Sequence, residues 1–110
     1  MERIAYQNLL YDFYGELLTE HQRRIYESAV YEDLSLKELS EEYGITRQGV
    51  HDLIKRCDKI LEEYENRLHM IEKFSSIKGL VGQIRDAAGQ DGSENGDKIR
   101  GLCDKLLETL

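Results

Sequence analysis

The chain has 110 residues, 15 of them basic and 22 acidic, for a net charge of −7 at pH 7 and room for one domain of ordinary size. With 40% hydrophobic and 34% charged residues it is too apolar for disorder and must carry a densely charged surface. These figures exclude a large enzyme and a uniformly basic nucleic-acid coat, and no apolar run approaches the roughly 20 residues of a membrane helix.

Tyr6, Asp12 and Glu16 interrupt the start of the chain, so no clean signal-peptide stretch is expected after Met1-Glu2-Arg3. Cys57 and Cys103 form no CxxC and no disulfide framework, which fits a reducing cytoplasm. Proline, which punctuates loops and stops helices, is absent. A chain without it, rich in Leu, Glu, Lys and Arg, reads as all-α.

In chain order, Ile4, Leu10, Phe13 and Leu17 predict a first helix over about Arg3–Leu18, with Gly15 weakening its end. Thr19 to Gln22 is a capping box that opens a second helix running to about Val30. Ser35 to Glu38 is another, opening a third helix that stops at Tyr43-Gly44, where glycine takes the left-handed conformation cheaply. Thr46 caps a fourth. Along it Val50, Ile54, Cys57, Leu61, Tyr64, Leu68 and Ile71 form a heptad seam, so the helix is expected to span about 47–74 and end at Phe74-Ser75-Ser76. Beyond it, 77–110 reads as a helical extension. It holds a weaker helix over Ile77–Ala88, a Gly-rich linker at 89–96, and an amphipathic segment with Ile99, Leu102, Cys103, Leu106 and Leu107 on one face. The first domain is accordingly 1–74.

Residues 35–56 fit a helix-turn-helix. Its turn needs a residue with positive φ, here Gly44, and its first helix needs a small residue at the crossing, here Ser40. Leu39, Tyr43, Ile45, Val50 and Leu53 supply the apolar lock. The opposite side of the second helix then carries Arg47, Gln48, His51, Asp52 and Lys55. In such motifs the first residues of that helix reach base edges in the major groove. Arginine pairs bidentately with guanine and glutamine with adenine, so Arg47 and Gln48 lead, with His51 and Asp52 secondary. Lys55, Arg56, Lys37, Arg23 and Arg24 are the candidates for phosphate. The other reading open to the motif is a partner-binding derivative that touches no nucleic acid.

Charge bears on that choice. Residues 1–34 hold 3 basic and 7 acidic side chains, 35–56 hold 4 of each, and 57–110 hold 8 and 11. The motif is the least acidic segment, yet it is not basic, so few phosphate contacts per protomer are expected. Because a helix with an apolar stripe must bury it, the remainder of the seam, Cys57, Leu61, Tyr64, Leu68 and Ile71, is expected to form a homodimer interface; an intramolecular helix pack is the alternative. No catalysis, cofactor or metal site is expected. His21, His51 and His69 lie on separate stretches, and no phosphate loop or nucleophile elbow is present. Most of the seven tyrosines fall on inward stripes and read as core rather than as platforms for RNA bases.

The run Leu9 to Gln22, the segment Asp33-Leu34-Ser35-Leu36, the block Thr46-Arg47-Gln48-Gly49-Val50 and Ile54-Lys55-Arg56 resemble the YlxM-type family of helix-turn-helix proteins over about residues 4–74. More distantly, 19–65 is similar to region four, the C-terminal DNA-binding region of bacterial sigma factors. The resemblance implies a small all-helical DNA-binding regulator. Its genes neighbour that of the signal recognition particle GTPase, which implies an influence on that secretion pathway, or docking on the particle's protein or RNA. Arg47, Gln48, Lys55 and Arg56 match the family's Arg-Gln and Lys-Arg positions. Gly49 stands where the family often has alanine.

Overall fold

A computed structural model of the chain describes residues 3–90 and 92–110. Among the described residues six helices follow one another: α1 (Arg3–Tyr14), α2 (Glu20–Val30), α3 (Leu36–Tyr43), α4 (Arg47–Leu68), α5 (Met70–Gly89) and α6 (Glu94–Thr109). A 3-10 turn at Gly15–Leu17 follows α1, and the described residues contain no strand. The fold is all-α. The helices fall into two units, divided between His69 and Met70.

Helix starts obey local chemistry. The Gln22 amide donates to Thr19 Oγ1 at 3.2 Å while the Thr19 amide donates to Gln22 Oε1 at 2.9 Å. The Ser35–Glu38 box closes likewise at 3.1 and 3.4 Å. Each box satisfies two amides that a helix start leaves orphaned. Thr46 caps α4 by accepting from the Gly49 amide at 2.9 Å, and a Cβ on Gly49 would stand 3.1 Å from that same oxygen. Gly15 ends α1 because its bare backbone receives the Tyr11 ring; a Cβ there would meet the ring at 2.7 Å.

In the first unit α4 packs on α1, α2 and α3. Ile25, Leu39 and Val50 form the fully buried centre of the α2–α3–α4 corner, ringed by Ala29, Leu34, Tyr43, Ile45, Leu53 and Ile54. Farther along α4, Cys57 and Leu61 are also fully buried, as are Leu10 of α1 and Tyr26 of α2, and Tyr14 of α1 is nearly so. Polar bonds accompany them. Tyr26 donates to Asp58 Oδ1 at 2.7 Å, Gln7 donates to both Asp58 oxygens at 3.1 Å, and Tyr14 donates to Glu65 Oε1 at 2.6 Å. Tyr11 bonds Glu27, and its ring stacks on Tyr26 with centroids 5.4 Å apart.

The long fourth helix stops at Leu68, not near residue 74. His69 adopts φ 55°, its amide capping onto the Glu65 carbonyl at 2.8 Å, and α5 begins at Met70. Histidine is among the side chains that enter this region most readily. The seven-residue pattern runs across the break, so Ile71 belongs to α5. Phe74-Ser75-Ser76 is therefore helix interior, and α5 carries on through Gly79 and Gly82. The two glycines cost about 1 kcal/mol each, which packing against α6 offsets. The linker is shorter than 89–96: Gly89 closes α5, and Ser93 caps α6, accepting from the Gly96 amide at 3.2 Å. Asp91, within the expected linker, lies outside the described residues.

Two measurements test this account. Gly44 has φ 68° and open space around it, so Gly44→Ala should lose about 1–2 kcal/mol in urea titration through backbone strain alone. Burial, then the Asp58 bond, raises the Tyr26 hydroxyl above its usual 10.0. An unfolded tyrosine ionises above pH 10 while the folded one keeps its proton. Its stabilisation is thus complete below pH 10 and drains away as pH climbs beyond it. Tyr26→Phe should cost about 1.5–3 kcal/mol at neutral pH and flatten that alkaline loss.

Candidate nucleic-acid interface

With Val50, Leu53, Ile54 and Cys57 turned inward, the helical period points the opposite side of α4 outward. Arg47, Gln48, Asp52, Lys55 and Arg56 are exposed and His51 is half-buried. The corner holding this face is fastened at its turn. The Gly44 amide donates to the Ser40 carbonyl at 3.0 Å, the Ile45 amide to the same oxygen at 3.3 Å, and Ser40 Oγ donates to the Ile45 carbonyl. Ser40 is therefore more than a small side chain at the crossing; its hydroxyl ties the end of α3 to the start of α4.

Within the face the side chains interact. Gln48 Nε2 donates to Asp52 Oδ1 at 2.8 Å, and His51 Nδ1 lies 3.7 Å from that carboxylate oxygen. Asp52 thus occupies the glutamine amide that would read an adenine. Lys59, exposed and one turn beyond Lys55, continues the cationic line and was absent from the sequence-derived set. The i, i+4 spacing from Lys55 was the available signal. Glu62 and Glu63, also exposed, close the line.

The flanking basic residues divide. Lys37 is exposed on α3. Arg24 is exposed on α2 and pairs with Glu20 at 2.7 Å. Arg23 lies against Tyr11 and Glu27, and its buried Nε has no hydrogen-bond partner among the described residues. The hydrogen bond to Tyr11 pushes its guanidinium pKa up further. An open cleft of about 470 Å³ separates the start of α2 from the flank of α4, lined by Thr19, His21 and Gln22 on one side and Asp52, Leu53 and Arg56 on the other.

The residues expected at a dimer seam are placed differently. Cys57 and Leu61 are consumed inside the first unit. Tyr64 is half-buried, its ring 6.0 Å from that of Tyr14. Leu68, 47% exposed, remains on the surface, and Ile71 is buried on α5. Internal packing against α1 and α2 takes up Cys57 and Leu61 of the stripe that the heptad spacing had offered to a second copy, and leaves Leu68 exposed.

The corner, its left-handed glycine and its outward helix face define a helix-turn-helix protein. The sequence matches over residues 1–99 the UPF0122 family, described as "Putative helix-turn-helix protein, YlxM / p13 like". A UPF0122 protein of Desulforamulus reducens is 44% identical over 105 residues, 92% of this chain and 90% of the relative. One of Shouchella clausii is 41% identical over 110 residues, 100% of this chain and 95% of the relative, and one of Halalkalibacterium halodurans is 35% identical over 106 residues, 96% and 95%. The chain belongs to the UPF0122 family. The match takes in α5 and the first part of α6, well past residue 74.

Burial pushes the Cys57 thiol up to about 11 from its ordinary 9.0, reinforced by the Asp58 charge. At pH 8 its thiolate is then about a hundredfold scarcer than that of an exposed cysteine. Iodoacetamide should accordingly alkylate Cys57 at least about a hundredfold more slowly in the native protein than in urea, as read by mass spectrometry of its peptide.

Proposed function

We propose that the protein is a DNA-binding regulator that sets the first turns of α4 into the major groove. The observation that carries this reading is the outward exposure of Arg47, Gln48, Lys55 and Arg56 on a helix whose opposite side buries Val50, Cys57 and Leu61 fully and Leu53 and Ile54 in part. Arg47 is the leading reader of guanine, while Gln48 reads adenine once Asp52 releases its amide. Asp52 itself favours a cytosine amine. Lys55, Arg56, Lys59 and Lys37 meet phosphates, and Arg24 joins them by leaving Glu20. The protein acts in the cytoplasm, and no helix among the described residues is long and apolar enough to cross a membrane. Two copies, as a homodimer, present two faces about 34 Å apart, one turn of the duplex. Resemblance to YlxM-type proteins supports a regulatory role in the signal recognition particle pathway.

A second reading, an adaptor that docks on the particle's protein or RNA, draws on two observations. The Gln48–Asp52 bond withdraws one reader, and the motif's equal acidic and basic counts keep phosphate attraction low.

Salt titrations of binding to duplex DNA and, in parallel, to the particle and its RNA separate the two. The regulator predicts a duplex affinity that falls steeply with salt. Lys55→Ala should weaken all duplexes alike and lower the salt slope by about one, whereas Arg47→Ala should cost about 1–3 kcal/mol and relax preference at one position. Wild-type duplex binding in both variants would remove α4 as the contact surface. Tight binding to the particle without duplex affinity would leave the adaptor.

A further inference from the structure

Helices α5 and α6 form an antiparallel hairpin. Arg85 Nε meets Asp104 Oδ1 at 3.1 Å, and a Cβ added at Gly89 would stand 4.0 Å from the Arg100 side chain, two pairings in one register. The residues buried in this unit, apart from Ile71, are small: Val81, Ala88, Gly96 and Cys103. Phe74 and Leu107 are half-buried, and most of the other large apolar side chains point elsewhere. On α5, Ile77, Leu80 and Ile84 are 42–58% exposed, and on α6, Ile99, Leu102 and Leu106 are 41–65% exposed.

At about 100° per residue, both groups form stripes adjoining the buried line of their own helix. On α5 the exposed stripe is turned by roughly 70° from Val81 and Ala88, and on α6 by a similar angle from Cys103 and Gly96, in the same rotational sense. Because the helices are antiparallel, equal turns of one hand bring both stripes to the same side of the hairpin. Together with Leu110 they leave on the order of 600 Å² of apolar surface uncovered, the upper end of what monomers show. A two-helix unit also has too little interior to stand on burial alone.

We propose that this face is the homodimer interface, covered by the same face of a second copy. A twofold contact is self-complementary by construction, so one apolar face satisfies both partners. Two such faces opposed bury about 1,200 Å², within the range of stable interfaces. The result is a four-helix bundle with the α5 and α6 stripes as its shared core. This rests on the two-copy element of the proposed function and relocates it from α4 to the hairpin.

Sedimentation of the full chain without nucleic acid reads the interface alone. The wild type should run at twice the chain mass at tens of micromolar, and Leu80→Asp with Leu102→Asp should halve that mass while the helical circular dichroism persists. Leu17→Asp, at an exposed apolar position of the first unit, should leave the dimer intact. Should the aspartates unfold the hairpin, the milder Leu102→Gln should raise the dimer dissociation constant about tenfold. A monomeric wild type overturns the proposal, whether the face is covered by the first unit or by a different protein. So does a dimer that resists the hairpin substitutions or dissociates only with Leu17→Asp. Duplex titration of the monomeric variant is a separate readout: loss of the dimer leaves single-face contacts measurable, so failure of the interface and failure of DNA binding are told apart.

Discussion

The buried stripe of α4 is the constraint on which the first unit depends. A 22-residue helix is about 33 Å long, and α1, α2 and α3 all pack on it. Val50, Cys57 and Leu61 lose all contact with water in doing so. Full burial of an aliphatic side chain contributes about 1.5–3 kcal/mol, so turning α4 by even a quarter revolution would surrender several such terms together. The same lock that holds the unit together therefore fixes which side chains of α4 face outward.

Hydrogen bonds refine that rotation. Asp58 and Glu65 both belong to α4, and their carboxylates accept from Tyr26 on α2 and from Gln7 and Tyr14 on α1. Apolar contact tolerates sliding; a short bond from a buried hydroxyl to a carboxylate does not. Tyrosine suits the task because its ring packs as core while its hydroxyl reaches an acceptor. The acidity of the chain has a structural use here, since some of its carboxylates are internal acceptors rather than solvated charge.

Charge also varies along α4. Arg47, Lys55, Arg56 and Lys59 precede Glu62 and Glu63 on the exposed side. Screening over about 8 Å at physiological salt lets a local basic stretch act although the whole chain carries −7. Asp52 is the exception inside that stretch, and its bond to Gln48 makes the two residues one unit. Any polynucleotide contact through Gln48 must break or redirect that bond, which favours selective contact over strong general attraction.

Local chemistry was legible in the residues themselves. The boxes at Thr19 and Ser35, the caps at Thr46 and the left-handed Gly44 depend on side chains at most four positions away, so spacing alone specifies them. The corner of Leu39, Ile45 and Val50 and the exposure of Arg47 followed from helical period. The break at His69 was not legible, because a single left-handed residue leaves the heptad spacing from Leu61 to Ile71 undisturbed. Nor was the use of Cys57 and Leu61. An apolar stripe declares that it must be covered, but not by what, and only the return of α1 and α2 onto α4 decided that. The carboxylate partners of Tyr14 and Tyr26 and the outward turn of Leu80 and Leu102 belong to the same class. They depend on residues distant in the chain and on the angle at which whole helices meet, and the order of amino acids along one helix contains neither.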